Sequence, residues 1–337
     1  FLEEISIKEI QSGYQNNSYT VNDIVSAYID RINSIDQSGP NLNSVLTINP
    51  DALTIADSLD KILQNKKIVK SPLFGIPVLL KDNIDTHDKM PTTAGSRILK
   101  NAFPIKDSWV AKKLREAGAV IIGKSNLSEW ANYRASYSSS GWSGLGGQTK
   151  NPYVLDRNPC GSSSGSAVAV SANLCAIAIG TETWGSIMCP SNANGIVGIK
   201  PTVGLWSRAG IIPISYTQDT AGPMSRNVED AAVILGALTG VDDNDDKTKE
   251  SKNNSFKDYT QFLIKEGLQG KRIGYVKTMN GKNHRLDLLM ENTIKDLEKG
   301  GAEIIEINNI FQKIDSKKSP QEYAVEIMAH EFKDGLK

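Results

Sequence analysis

The spacing of apolar and polar residues predicts that helices and strands alternate in the first part of the chain. Apolar residues recur at helical spacing over 21–36, directly after Thr20, whose hydroxyl can cap the first turn. The apolar run at 76–80 predicts a buried strand that ends at Lys81. The pattern continues with three more segments: a helix over 107–118, a strand over 119–123 and a helix near 126–133. Such alternation is typical of an α/β protein with a mainly parallel sheet.

The composition changes between residues 136 and 210, where Ser, Gly and Thr are frequent and charged residues are sparse. Within this region, 166–180 predicts a helix followed by a buried strand. We therefore interpret the Gly- and Ser-rich segments on either side as loops on a packed scaffold, which is where binding and catalytic residues concentrate.

The chain beyond residue 240 is more polar. Residues 241–254 are rich in charge and predict an exposed loop. The pattern then predicts a β-α-β unit and a final helix, with a strand over 270–277, a helix over 285–301, a strand over 302–307 and a helix over 319–337.

Composition and charge argue against two broad classes of partner. The 337 residues contain 38 Lys and Arg and 38 Asp and Glu, so the formal net charge is zero. Such a chain has no broad electrostatic field for nucleic acid or an acidic membrane. No apolar run reaches the roughly 18 residues of a membrane span. We therefore expect neither nucleic acid nor a membrane as a partner.

The first residue and the cysteines bear on the compartment. The chain begins at Phe1 rather than Met, so we expect a periplasmic or secreted location if a signal peptide was removed, and a cytoplasmic one otherwise. Cys160, Cys175 and Cys189 lack the spacing of metal ligands. We expect all three to be buried free thiols.

One segment matches the phosphate-loop pattern. Residues 118–125, GAVIIGKS, contain a glycine, four residues and then Gly-Lys-Ser. A phosphate cradle needs small residues whose N–H groups turn inward, whereas the four residues here are apolar and mostly β-branched. We interpret this segment as a strand; nucleotide binding is the alternative, and failure to bind ATP would dismiss it.

A second segment matches the nucleophile-elbow pattern. Residues 161–165, GSSSG, place Ser163 at the position of the nucleophile. An elbow directly follows a strand, but 151–160 contains two prolines and several turn formers. The pattern also needs a histidine base, and the three histidines lie outside the Gly- and Ser-rich loops: His87, His284 and His330. A Ser-His-Asp hydrolase is therefore only a minor alternative, and any serine chemistry here is expected to use another base.

A lysine can be that base. Lys81 follows a predicted buried strand, and burial lowers a lysine pKa from about 10.4 because it disfavours the charged form. From this segment alone, a lysine that reaches solvent is the simpler interpretation.

The positions of two serines favour the catalytic interpretation of Lys81 instead. Ser186 follows Gly185 after an apolar strand, where a turn can aim successive N–H groups at one point, and Ser162 lies ahead of a helix.

Several ordered segments together resemble the amidase signature family: 75–85 (GIPVLLKDNID), 160–170 (CGSSSGSAVAV), 180–187 (GTETWGSI) and 195–224. Within that family the chain is most similar to bacterial peptide amidases, in the segments 126–134 (NLSEWANYR) and 146–152 (GGQTKNP). The resemblance implies an α/β fold with a central twisted mixed β-sheet flanked by α-helices on both faces.

The resemblance also implies a domain organisation. We expect a single domain over 1–337 with its core at 65–240, followed over 241–337 by the loop, the β-α-β unit and the last helix. Family members continue well past this helix, so we expect the C-terminal part of the family fold to be absent, and a second chain is one expected source of it.

The resemblance further implies a Ser–cis-Ser–Lys triad. By motif position, Ser186 is the nucleophile, Ser162 the cis-serine that relays the proton and Lys81 the base. The backbone N–H groups of the turn would form the oxyanion hole, through Thr183, Trp184, Gly185 and Ser186. Neither a metal nor an organic cofactor is implied.

The expected substrate-binding residues are Asn132, Leu145, Ser163 and Trp184, with Ser163 in a supporting hydrogen-bond role. Two of them depart from the pattern, because peptide amidases usually have Asp at the position of Trp184 and Arg at that of Leu145. Coordinated remodelling of the pocket and ordinary drift explain the pair equally well. Our hypothesis is that Trp184 narrows or reshapes the acyl site.

The function implied is an amide hydrolase that works through an acyl-enzyme. Its expected substrates are peptide C-terminal amides or small or aryl amides, and its products are an acid and ammonia or an amine. Two alternatives stay open: the amidase component of a glutamyl-tRNA amidotransferase complex, and a catalytically silent binding protein with the same fold.

Overall fold

The computed structural model of the protein describes residues 2–65, 71–277, 281–308 and 318–337. These residues divide into two units, one of Phe1–Tyr259 with Ile327–Lys337 and a smaller one of Thr260–Glu326. Parts of the predicted domain lie outside the described residues: 66–70 at the start of its core, and 278–280 and 309–317 after residue 240.

The described residues form nine α-helices: α1 Ile7–Gln15, α2 Val21–Arg31, α3 Ala52–Gln64, α4 Trp109–Glu116, α5 Ser164–Ser171, α6 Met188–Ala193, α7 Val228–Ala237, α8 His284–Lys299 and α9 Pro320–Gly335. They also form ten strands: β1 Val45–Ile48, β2 Pro77–Lys81, β3 Val120–Ser125, β4 Trp142–Ser143, β5 Gly147–Gln148, β6 Ile177–Glu182, β7 Val197–Gly198, β8 Thr220–Ser225, β9 Arg272–Val276 and β10 Glu303–Ile307. None of these helices has the length and apolar character needed to cross a membrane.

The larger unit is built on a six-stranded sheet. Its strand order is β1-β3-β2-β6-β8-β7. The three central strands β3, β2 and β6 run parallel, whereas β1 and β8 pair antiparallel with their neighbours, and β7 pairs antiparallel with β8. Helices α2, α3, α4, α5 and α7 contact the sheet strands. The predicted α/β fold with a central mixed sheet flanked by helices is confirmed. The mainly parallel sheet that the alternation of elements predicted is wrong, because three of the five strand pairings are antiparallel.

Local sequence accounts for several of these elements. Thr20 caps α2 in a capping box: its hydroxyl accepts the Asp23 N–H and the Asp23 carboxylate accepts the Thr20 N–H. Every residue of β2 and β3 is buried, because each strand pairs on both sides and helices cover the sheet. The segment that matches the phosphate-loop pattern therefore forms strand β3, as predicted.

The prediction of a helix near 126–133 is wrong. Only a short 3₁₀ turn forms there, at Glu129–Asn132, and Trp130 and Ala131 have left-handed backbone angles, with φ of 53° and 52°. A left-handed α conformation costs an L-residue roughly 1–2 kcal/mol and interrupts a right-handed helix. The Trp130 ring lies edge-on to Phe332, with 6.5 Å between ring centroids.

The exposed loop predicted at 241–254 is only partly correct. Asp242, Thr248 and Ser251 are buried, and Asp245 forms an ion pair with Arg208 at 2.6 Å. The charged composition of the segment predicts that it is exposed to solvent. Some of its polar side chains instead form hydrogen bonds or ion pairs with residues of the preceding loops and are buried with them.

The prediction of three free thiols is wrong for two of them. Cys160 and Cys189 form a disulfide with 6.0 Å between their Cα atoms, and Cys175 is a buried free thiol. The two partners are 29 residues apart in the chain, so their proximity depends on the tertiary fold.

The smaller unit contains the predicted β-α-β motif. Strands β9 and β10 pair in parallel register, and α8 contacts β10. The order strand, helix, strand agrees with the hydrophobic pattern over 270–307.

Candidate active site

Lys81 lies at the end of the central strand β2 and is fully buried. Its Nζ lies 2.8 Å from Ser162 Oγ and 3.0 Å from Ser163 Oγ. It also lies 3.1 Å from the carbonyl oxygen and 2.9 Å from the hydroxyl oxygen of Thr181. None of the described carboxylates lies within ion-pair distance of Lys81, so its amine is surrounded by hydroxyl and carbonyl groups.

Burial lowers the pKa of Lys81 to about 7, and the negative charges of Asp219 and Glu182 oppose this effect only in part. The physical cause is desolvation, which penalises the charged ammonium more than the neutral amine. An amine with this pKa is substantially unprotonated near neutral pH and can accept a proton.

The hydrogen-bond pattern limits which groups can donate a proton to the neutral Lys81 amine. The Ser163 hydroxyl donates to the Thr181 carbonyl at 3.0 Å and accepts the Thr181 N–H at 3.2 Å. Ser163 can therefore only accept from Lys81. A neutral amine has two N–H donors and one lone pair. When the donors serve Ser163 and the Thr181 carbonyl, the lone pair is left for a neighbouring hydroxyl, either that of Ser162 at 2.8 Å or that of Thr181 at 2.9 Å.

Ser162 is fully buried, and the Gly161–Ser162 peptide bond is cis, as the resemblance implied. The Ser162 carbonyl accepts the Ser128 N–H at 3.1 Å. A side chain at Gly161 would not fit, because its Cβ would lie 2.5 Å from Ser128 Oγ and 2.8 Å from Ser164 Oγ. Tight packing thus holds the backbone that presents Ser162 to Lys81.

Ser186 lies in the turn between β6 and α6, after Gly185, whose φ is +91°. Its carbonyl accepts the Ser163 N–H at 3.1 Å, which ties this turn to the residue next to Ser162. The Ser186 hydroxyl has no hydrogen-bond partner in the described part of the chain. Ser186 is thus bonded through its backbone to the residue that follows Ser162, and Ser162 contacts Lys81. The roles of the three residues in a triad stay a prediction.

Glu182 supports the turn through its side chain. Its Oε2 accepts the N–H groups of Ile187 at 2.7 Å and Met188 at 2.9 Å. Glu182 thus holds the turn from one side, and no hydrogen bond engages the N–H groups of residues 183–186 among the described residues.

A cavity of about 220 Å³ lies beside this turn. Thr181 and Thr183 contribute to its lining, and much of the remaining wall is apolar, with Ala131, Ile211, Ile212, Pro213 and Ile214. Arg208, Asp219 and Asp245 also line the cavity. An apolar cavity with a few polar groups is typical of a small-molecule site.

Asp219 connects the turn to the cavity wall. The Thr183 hydroxyl donates to Asp219 Oδ1, and Asp219 Oδ2 accepts the N–H groups of Ile214 at 2.8 Å and Ser215 at 2.9 Å. Burial raises the pKa of Asp219, and these hydrogen bonds oppose that effect.

The predicted substrate-binding residues differ in their location. Ser163 lies in the buried cluster with Lys81. Asn132 donates to Ser140 Oγ at 3.4 Å, and its Oδ1 is buried without a partner among the described residues. Trp184 is 57% exposed and Leu145 is 38% exposed. Neither side chain lines the cavity, and neither do Lys81, Ser162 and Ser186, which lie next to its wall residues Thr181 and Thr183.

Sequence reasoning did not identify Thr181, Glu182 and Asp219. Thr181 and Glu182 belong to the motif at 180–187 that pointed to Ser186, so the motif could have indicated them. Asp219 lies 33 residues beyond Ser186, within the segment 195–224 that contributed to the resemblance, but no periodicity or spacing links it to the turn.

The structure gives no support to a histidine base. The ring of His87 contacts the carbonyl oxygen of Pro104 at 3.0 Å, and no histidine contacts Ser163 among the described residues. No strand directly precedes Ser163 in the described chain, and its hydroxyl is already engaged with Thr181. The elbow interpretation is therefore unsupported.

Comparison with known proteins identifies relatives of the chain. The family model described as Amidase matches residues 23–333. A probable amidase of Arabidopsis thaliana is 45% identical over 92% of this chain and 58% of its own length. A glutamyl-tRNA(Gln) amidotransferase subunit from Microcystis aeruginosa is 40% identical over 90% of this chain and 60% of its own length.

The structural comparison agrees with the sequence comparison. The structure of native peptide amidase from Stenotrophomonas maltophilia matches with a TM-score of 0.93 and 46% identity, over 99% of this chain and 67% of that one. The chain thus spans roughly three fifths to two thirds of the length of these proteins. On the family match and these identities, the chain belongs to the amidase family.

Proposed function

We propose that the protein hydrolyses carboxamides through an acyl-enzyme, with Ser186 as nucleophile, Ser162 as proton relay and Lys81 as base. One observation carries the proposal: the Lys81 amine is fully buried and lies 2.8 Å from Ser162 Oγ, and its burial lowers its pKa to about 7. A neutral amine in contact with a serine hydroxyl is the arrangement that general-base activation of a serine requires.

In the proposed first step, Ser186 Oγ attacks the amide carbon while its proton passes to Ser162 and the Ser162 proton passes to Lys81. The carbonyl oxygen becomes an oxyanion, which the N–H groups of residues 183–186 stabilise. The C–N bond then breaks as Lys81 returns its proton through Ser162 to the leaving nitrogen. An ester on Ser186 and a free amine, or ammonia, result.

In the second step, water attacks the ester. Lys81, neutral again, accepts the proton of the water through Ser162, and the ester bond to Ser186 breaks. Ser186 regains a proton, and the acid is released. All proton transfers use the same short path, so one base serves both halves of the reaction.

The proposed substrate class is supported by the cavity beside the turn and by the relatives. The mostly apolar lining favours amides with an apolar acyl group, and the structural relative is a peptide amidase. We therefore propose small carboxamides or peptide C-terminal amides as substrates. The comparisons give no support to a second chain that would complete the domain.

A second candidate is the amidase component of a glutamyl-tRNA amidotransferase, because a subunit of such an enzyme is 40% identical to this chain. The zero net charge disfavours a partner as acidic as tRNA. Release of ammonia from glutamine, but not from peptide or aryl amides, would favour this candidate over the first.

A fluorophosphonate probe followed by peptide mapping tests the proposal. We expect the label on Ser186, its loss in Ser186→Ala, and labelling about 10²- to 10⁴-fold slower in Lys81→Met. Ser164→Ala is the matched control, because the Ser164 hydroxyl bonds the Cys160 carbonyl instead of the triad, and it should label normally. A label on another residue would overturn the assignment, and no label at all would favour a silent binding protein.

A further inference from the structure

A buried carboxylate near the end of α9 holds the loop that walls the cavity. Glu331 is only 8% exposed. Its Oε2 accepts the hydroxyl of Ser215, the hydroxyl of Thr217 at 2.9 Å and the N–H of Thr217 at 3.3 Å. Among the described residues it has no ion-pair partner. Three hydrogen-bond donors thus converge on one buried oxygen, which compensates for part of the cost of burying it.

The same loop is held from its other side by Asp219. Ser215 donates its N–H to Asp219 Oδ2 at 2.9 Å and its hydroxyl to Glu331. Asp219 in turn accepts the hydroxyl of Thr183 through its other oxygen. A continuous series of hydrogen bonds therefore runs from Glu331 through Ser215 and Asp219 to Thr183, the first residue of the turn that ends in Ser186.

The residue between the two contacts of Glu331 lines the cavity. Tyr216 is flanked by Ser215 and Thr217, and it forms part of the cavity wall. Its carbonyl accepts a hydrogen bond from Arg208. Glu331 thus restrains both neighbours of a wall residue as well as the carboxylate that bonds the turn.

We propose that Glu331 is a positioning residue of the active site. Acting through Ser215 and Asp219, it holds the Thr183 end of the oxyanion turn in place and fixes Tyr216 in the cavity wall. It touches neither the substrate nor the reacting atoms. This inference rests on the proposed function, since it assigns Glu331 a part in the same amide hydrolysis.

The simpler alternative is that Glu331 only fixes the end of α9. Met328 and Phe332 already do this by packing, for Met328 is buried and the Phe332 ring lies 4.9 Å from that of Tyr133 between centroids. A carboxylate that served only to fix the helix would affect stability when removed, but would leave the chemical step unchanged.

The chain offers a matched control in Asp230. It too is a buried carboxylate, and it accepts the Ile7 N–H at 3.1 Å and the side-chain amide of Asn227 at 2.9 Å. None of these three residues lines the cavity or contacts the triad. Asp230→Ala therefore removes a comparable set of hydrogen bonds at a site that is unrelated to the reaction.

The experiment compares Glu331→Ala, Glu331→Gln and Asp230→Ala in kcat for a small aryl amide and in the rate of fluorophosphonate labelling. In Glu331→Ala both rates should fall about tenfold or more, because displaced N–H groups stabilise the oxyanion less well. Glu331→Gln keeps an oxygen acceptor and should recover to within about threefold of the wild type. Asp230→Ala should lose stability but keep kcat.

Each outcome bears on the inference. Wild-type kcat in Glu331→Ala, or equal losses of kcat in Glu331→Ala and Asp230→Ala, would overturn it. If Glu331→Ala does not fold, Ser215→Ala is measured instead, since it removes the hydroxyl contact and keeps the N–H contact to Asp219; normal kcat there also overturns the inference. A wild-type protein without amidase activity or labelling would instead contradict the proposed function itself.

Discussion

The burial of the Lys81 amine leads us to predict how the stability of the protein depends on pH, independently of any substrate. Its pKa falls from the ordinary value of 10.5 to about 7 in the folded protein because burial disfavours the charge. Below pH 7 the amine is protonated in both states, and the folded state carries the full cost of the buried charge. Between pH 7 and 10.5 only the unfolded state binds the proton, so stability rises with pH in this window.

The size of the effect follows from the two pKa values. The difference between 10.5 and about 7 corresponds to roughly 5 kcal/mol, gained at about 1.4 kcal/mol per pH unit. In Lys81→Met the titrating group is absent and the side-chain volume is similar. The free energy of unfolding of the wild type minus that of Lys81→Met should therefore increase by about 2 to 3 kcal/mol between pH 7 and pH 9.

Urea unfolding of both proteins at pH 6, 7, 8 and 9 measures this difference. Lys81→Met also loses hydrogen bonds, but that loss shifts the whole curve by a constant and leaves its slope unchanged. Ser162→Ala is the control, because it removes a partner of Lys81 yet keeps the amine, and its slope should follow that of the wild type. Parallel curves for wild type and Lys81→Met would refute the assignment of a low pKa to Lys81.

Three further predictions concern activity and covalent structure. First, kcat/KM should fall tenfold per pH unit below about pH 7, where Lys81 is protonated; a profile that is flat down to pH 5 would contradict a lysine base. Second, reducing the Cys160–Cys189 disulfide, which closes a loop of 29 residues, should lower stability by about 3–4 kcal/mol and slow acylation, since it links the segments that carry Ser162 and Ser186. Cys175→Ala should leave this reductant response unchanged, and a wild-type protein insensitive to reductant would count against the disulfide. Third, Trp184→Asp with Leu145→Arg should shift the ratio of rates from small aryl amides toward peptide amides, and an unchanged ratio would eliminate the hypothesis that Trp184 shapes the acyl site.

Local pattern predicted the elements that carry the site. The apolar runs at 76–80 and 119–123 became β2 and β3, and each strand continues into the polar residues that follow its run, to Lys81 and to Ser125. Because a strand buried on both faces needs apolar residues throughout, such runs are visible without any tertiary information. Capping by Thr20 was equally visible, since it depends on residues three positions apart.

The failures have a common physical origin. The segment at 126–133 was expected to be helical, yet Trp130 and Ala131 adopt left-handed angles, and the Trp130 ring packs against Phe332, about two hundred residues away. The pairing of Cys160 with Cys189 and the contacts of Asp219 and Glu331 also join segments that are separated in the chain. Local propensity is a weak prior that tertiary contacts override.

The sequence by itself determined the family, the strands β2, β3 and β6 near the site, and the motif positions of Lys81, Ser162 and Ser186. Only the tertiary structure decided that Lys81 is fully buried beside Ser162, and hence that its pKa falls to about 7. The reason is that desolvation depends on every atom around a group, and the atoms around this amine come from segments as far apart as Lys81 and Thr181. A motif position predicts that Lys81 is the base, but the atoms that surround its amine set its pKa.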